Sequence, residues 1–204
     1  MKLFYTDTSP YARKVRIAVR ELGLEKRIEE VLVRTRHPDN EILRHGPVGK
    51  VPALLTDDDH LLTESLLICI YLDDLNDGPR LIPAAAEERA SVLEIDGIAT
   101  GLLDGIAFRG REMRFREDGE RSPSLVEYER ERCQRCFDAL EGLAGQLTDR
   151  PRLAELSVAA ALLASDATEA VLHDDWRQGR PRLQAWFGAF RDRASIAATK
   201  PPGT

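Results

Sequence analysis

Apolar and polar positions near the start of the chain alternate between a strand period and a helix period. Lys2-Leu3-Phe4-Tyr5 is a short apolar run and predicts a strand. Ser9-Pro10 has the chemistry of a helix start, a serine N-cap followed by proline at the first helical position. Val15, Ala18, Val19 and Leu22 step by three and four, which gives that helix one apolar face, and Gly23 is placed to end it. Ile28 to Val33 predicts a second strand and Asp39 to Arg44 a short helix. Ala53-Leu54-Leu55-Thr56 and His60-Leu61-Leu62 predict two more strands, joined by an Asp57-Asp58-Asp59 turn. A helix from Glu64 to Leu75 follows, with Leu67, Ile70 and Tyr71 on one side. The order is β-α-β-α-β-β-α, an α/β pattern.

Asn76 to Pro83 carries Gly78, Pro79 and Pro83 and is expected to link two domains. Beyond it no strand pattern recurs. Val92, Ile95, Ala99, Leu102, Ile106 and Met113 mark one face of a long helix, broken at Gly119 to Pro123. Cys133, Phe137, Leu140, Ala144 and Leu147 mark a second. The stretch from Leu153 to Leu172 is rich in Ala and Leu, as in a buried central helix. Leu183, Trp186, Phe187 and Phe190 form the apolar face of a last helix starting at Pro181, and Ser195 to Thr204 is expected to be irregular.

Bulk properties narrow the function classes. Of the 204 residues, 43% are hydrophobic and 31% charged, which suits a folded core. A net charge of -6 lacks the basic excess that nucleic acid or an anionic membrane would call for. No run is long and apolar enough to span a bilayer, and Met1 to Tyr5, followed by Asp7, does not read as a secretory signal, so a cytoplasmic location is expected. Three cysteines, Cys69, Cys133 and Cys136, do not make a disulfide framework.

Lys2-Leu3-Phe4-Tyr5, Ser9-Pro10-Tyr11, Gly49-Lys50-Val51-Pro52-Ala53-Leu54 and Leu62-Thr63-Glu64-Ser65, with Ile68 and Tyr71-Leu72, together resemble the cytosolic glutathione transferase family in its serine-type, bacterial form. The specific motifs lie in the N-terminal part, and the helical remainder agrees in pattern. The resemblance implies a thioredoxin-like N-terminal domain (βαβαββα) over residues 1–77 that binds glutathione. It also implies an all-helical C-terminal domain over residues 86–204 that shapes the electrophile site, and a homodimer. The implied reaction is conjugation of the glutathione thiolate to a hydrophobic electrophile. Another glutathione-dependent enzyme on this fold (an isomerase, dehalogenase or peroxidase) and a non-catalytic interaction protein are the alternatives.

The resemblance also assigns residues. It places a cis peptide at Val51-Pro52, turning the Val51 backbone outward to pair with the cysteinyl backbone of glutathione like an added strand. Ser65 would donate to the γ-glutamyl carboxylate at a helix start, Glu64 would receive the ligand's ammonium group, and Lys50 would reach the glycyl carboxylate. By residue chemistry alone, Glu64-Ser65 equally suits a capped helix with Thr63 as N-cap, and Lys50 equally suits a surface lysine. Ser9 ranks first for catalysis. A free thiol titrates near 8.5, and a hydroxyl hydrogen bond together with a helix N-terminus would stabilise the thiolate. Tyr5 and Thr8 are rival hydroxyls. The electrophile pocket is expected to be walled by Tyr11, the Leu102 to Met113 region and the C-terminal helices.

Other signals are assigned to structure. Cys133-Gln134-Arg135-Cys136 falls on a predicted helix with no second ligand pair, so no metal is expected. Arg109, Arg111, Arg114 and Arg116 read as a solvated face. One feature departs from the family: before the central helix a Ser or Thr three residues ahead of an acid is usual, whereas here Arg152-Leu153-Ala154-Glu155 keeps the acid and lacks the hydroxyl. A compensating interaction is expected.

Overall fold

Four short strands build one mixed sheet in the computed structural model, which describes residues 1–202. They are β1 (Lys2–Tyr5), β2 (Glu29–Leu32), β3 (Ala53–Leu55) and β4 (Leu61–Thr63), in the order β2-β1-β3-β4. β1 and β2 run parallel, and the β1–β3 and β3–β4 pairs are antiparallel. Successive side chains leave a strand on opposite faces. Phe4 accordingly joins Val33, Ile42 and Ala53 in a buried cluster on one face, and the fully buried Leu3 points to the other. On that second side lie helices α1 (Pro10–Glu21) and α2 (Ser65–Asp74).

Local sequence sets these element ends. Ser9 caps α1, and the helix closes at Gly23, whose φ of 66° is the left-handed conformation that glycine adopts without strain. The Gly23 and Leu24 N–H groups then return to the Arg20 and Val19 carbonyls. The predicted helix at Asp39 to Arg44 is a single 3-10 turn, Glu41–Arg44, capped by Asn40. α2 begins one residue later than a Thr63 cap would require. Thr63 stays in β4, and the chain turns at Glu64, the N-cap, with φ 69° and no side-chain capping bond.

Two compact units emerge, one from Met1–Pro83 together with the segment that starts at Asp192, the other from Ala84–Arg191. The tail is not irregular throughout: Ala194–Ala197 forms a short helix, α7, that packs on α1. The Arg193 guanidinium donates two 2.7 Å bonds to the Glu21 carboxylate, the Ser195 hydroxyl donates a third, and Arg13 donates to the Ile196 carbonyl. Burial disfavours the charged form of Glu21, but the bonds from Arg193 and Ser195 outweigh it and hold the carboxyl below its ordinary value.

The second unit contains α3 (Ala86–Phe115), α4 (Pro123–Leu143), α5 (Leu153–Leu172) and α6 (Pro181–Phe190). α3 packs along both α4 and α5. A Cβ on Gly105 would lie 2.5 Å from the Cys133 sulfur, so only glycine permits this close crossing of α3 and α4. Residues 153–163 of α5 are buried without a break. The compensation expected at its start is present. Glu155, fully buried, accepts the Thr148 N–H and hydroxyl and is paired with Arg152 at 2.7 Å.

Candidate functional site

The strand register gathers every proposed site residue of the first unit at one end of the sheet. Phe4 pairs with Ala53 and Ala53 with Thr63. The loop leaving β1, the loop entering β3 and the segment leaving β4 therefore sit side by side. These three stretches carry Ser9, Lys50-Val51-Pro52 and Glu64-Ser65. β2 is parallel to β1, so the loop that follows it, from Val33 to Asn40, emerges at the same end. The sequence lists these residues far apart, and the topology makes them neighbours.

Ser9 is half-buried at the N-terminus of α1, and its Oγ accepts the Ala12 N–H at 3.2 Å. This bond uses a lone pair of the oxygen and leaves the hydroxyl proton for another acceptor. Capping and donation to a ligand are thus compatible in one side chain. Of the rival hydroxyls, Tyr5 has the Arg16 guanidinium over its ring at 4.1 Å, and Thr8 is exposed.

The Val51-Pro52 peptide is cis. The Val51 side chain packs on the Phe4–Val33–Ile42–Ala53 cluster, which fixes the residue. Among the described residues, neither its N–H nor its C=O has a hydrogen-bond partner. An unpaired backbone donor and acceptor on one residue beside a strand is what an added strand uses. Ser65 is the first residue of α2, where backbone N–H groups lack intrahelical partners. Its side chain and that of Glu64 have no hydrogen-bond partner among the described residues. A non-glycine residue at positive φ costs on the order of 1 kcal/mol or more and tends to occur at functional sites. Lys50 is exposed and likewise unpaired among the described residues.

A residue the motif reading missed stands behind these. Asn40 is 4% exposed, and its amide donates to the Thr35 carbonyl at 3.0 Å and to the Gly49 carbonyl at 2.8 Å. Its Oδ1 accepts the Ile42 N–H at 3.2 Å. The sequence signal was an Asn ahead of a predicted helix, which announces a cap and says nothing of Thr35 or Gly49.

The discounted signals belong to the second unit. Cys133 is fully buried on α4, and burial pushes its thiol up to about 11, against the pull of Arg109. Burial also raises Cys136. Arg109 is itself buried and paired with Asp174. Among the described residues no group of three or more His, Cys, Asp or Glu gathers as metal ligands would, and no helix is long and apolar enough to cross a membrane.

Comparison with known proteins agrees with this architecture. Residues 8–75 match the model of the glutathione S-transferase N-terminal domain, and residues 123–189 that of the C-terminal domain. The chain is 30% identical to the uncharacterized GST-like protein YibF of Escherichia coli K12, over 99% of each chain. It is 32% identical to human glutathione S-transferase theta-2, over 92% of this chain and 79% of that one. A glutathione transferase family member from Pseudomonas fluorescens Pf-5, solved with bound glutathione, superposes with a TM-score of 0.92 at 31% identity, covering 98% of both chains. The thioredoxin-like sheet, the helical second unit and these matches place the chain in the glutathione S-transferase family.

Proposed function

We propose that this protein is a cytoplasmic glutathione transferase that joins the glutathione sulfur to a hydrophobic electrophile. The observation that carries the reading is the set of unpaired groups at one end of the sheet: the Val51 N–H and C=O, the Ser65 hydroxyl, the Glu64 carboxylate and the Lys50 ammonium. They match, in kind, the cysteinyl backbone, γ-glutamyl carboxylate, ammonium group and glycyl carboxylate of glutathione. These groups meet at one end of the sheet and remain open to pairing, which supports a ligand that carries the complementary groups.

Ser9 is the proposed catalytic residue. Its free hydroxyl proton donates to the sulfur while the oxygen keeps the Ala12 bond, and the α1 N-terminus adds favourable potential. The thiol proton passes to solvent and the thiolate remains. Its lone pair forms the new C–S bond. The electrophile then releases a leaving group with the bonding pair, or takes a proton on the adjacent carbon after addition. A Pseudomonas fluorescens relative, 30% identical, was solved with S-(propanoic acid)-glutathione, a thioether of the kind that such an addition yields.

The proposed partner is a second copy of the chain. Leu67 and Ile70, three residues apart on α2, are exposed. Apolar residues grouped on helix surfaces mark interaction sites.

Calorimetric titration with glutathione, paired with an ultraviolet difference titration of the bound thiol against pH, tests the reading. Binding, with the thiol titrating clearly below its free value, is the expected result. No binding at millimolar glutathione overturns it.

A further inference from the structure

We propose that Asn40 is a positioning residue for glutathione, holding the Gly49-Lys50-Val51 segment in its ligand-ready shape through the amide bonds to the Gly49 and Thr35 carbonyls. The inference rests on the proposed glutathione site and adds a residue that does not touch the ligand.

Gly49 is at φ 62°, a conformation that leaves the loop entering β3 free to adopt others unless it is held. The Val51 side chain anchors one end on the core cluster, but the backbone ahead of it is not so held. Gly49, Lys50 and Val51 lie outside the strands, and Val51 is unpaired along its backbone. Asn40 supplies the missing constraint. Its two amide protons are spent on two loops that both emerge at the site end of the sheet, and its oxygen is spent on the 3-10 turn between them. No polar atom of the side chain is left over, and burial keeps water from competing. The fit is close: a Cβ on Gly49 would come 3.1 Å from the Asn40 amide nitrogen and 2.8 Å from Leu43. Capping the turn needs only an acceptor. The two donor bonds serve only the loops, and this separates a positioning role from a structural one.

Asn40→Asp makes that separation experimentally. The carboxylate still accepts the Ile42 N–H, and aspartate is as good a cap as asparagine. It cannot donate to Gly49 or Thr35 and turns oxygen toward oxygen. The expected result is a folded protein whose Kd for glutathione rises about tenfold. The thiol pKa of the glutathione that does bind should stay at the wild-type value, because Ser9 is on another element. S-methylglutathione, which has no thiol, should weaken by the same factor. Should Asn40→Asp not fold, Asn40→Ser replaces it, with a hydroxyl that caps the turn but is too short for Gly49. Wild-type affinity in a folded variant overturns the proposal while leaving the glutathione site standing. A wild-type protein that binds no glutathione overturns both.

Discussion

The Glu155 carboxylate and Thr148 are joined twice, through the Thr148 N–H at 3.0 Å and its hydroxyl at 3.1 Å. Glu155 lies in the first turn of α5, so its charge also faces the positive end of that helix. No side chain caps the α5 N–H groups; instead the Thr148 bonds, with Arg152 as the countercharge, hold the Glu155 carboxylate at the helix start. Glu155→Ala removes the acceptor of all these bonds. We expect a loss of about 3 kcal/mol, or roughly 6–12 °C in Tm. A change in the calorimetric Tm of under a degree would show that the network contributes nothing.

Ser9 has two roles that substitution can divide. Ser9→Asp keeps an acceptor for the Ala12 N–H and should preserve the helix start, but it has no proton to give and sets a negative charge beside the sulfur. Thermal stability should stay close to wild type. If the hydroxyl lowers the thiol pKa by about two units, kcat/KM near neutral pH should fall roughly 100-fold or more. Conjugation at the wild-type rate would remove Ser9 from the mechanism.

The Glu21 clasp on the tail should titrate. Its carboxyl is held below the ordinary value, because the Arg193 and Ser195 bonds overcome burial. A depressed carboxylate contributes stability that is complete above the unfolded pKa of about 4.3 and is lost as pH falls through the native value. Wild-type Tm should therefore drop more steeply on acidification than that of Glu21→Gln. Glu30, depressed in the same direction by Arg20 and Arg16 over the effect of burial, leaves some slope in both proteins. Parallel curves would deny the clasp any energetic role.

Cys133 should be inert in the folded protein. With its thiol at about 11 and no exposure, the reactive thiolate is rare and shielded near pH 8. Alkylation followed by mass spectrometry should find it unmodified until denaturant is added. Native labelling would contradict its burial.

If α2 carries a dimer contact, Leu67→Glu should convert the dimer to monomer in sedimentation, since a charge would enter an apolar seam. An unchanged dimer would exclude this helix from the interface.

Much of the fold was legible because it is written in short-range pattern. The Ser9-Pro10 start and Gly23 stop delimited α1, and apolar spacing found α3 to α6. The site motifs were legible as motifs, because the residues proposed to hold glutathione lie in a few contiguous stretches. What sequence concealed depends on distant partners. Asn40 announces a cap but not Gly49 nine residues on. The polar tail residues Arg193 and Ser195 gave no sign of Glu21. Thr63 had the better capping chemistry, yet pairing with Ala53 kept it in the strand and moved the helix start to Ser65.

The chain leaves the first unit after Pro83 and re-enters it at Asp192. In polymer terms the helical unit is a loop grafted at both ends and not a pendant chain. If its helices melt while the first unit stays folded, the released segment has pinned ends and fewer conformations than a free tail of the same length. The double attachment therefore favours the folded helices through their unfolded state, much as a crosslink does. A backbone cut between Arg191 and Asp192 would remove that advantage while leaving every contact inside the helical unit in place.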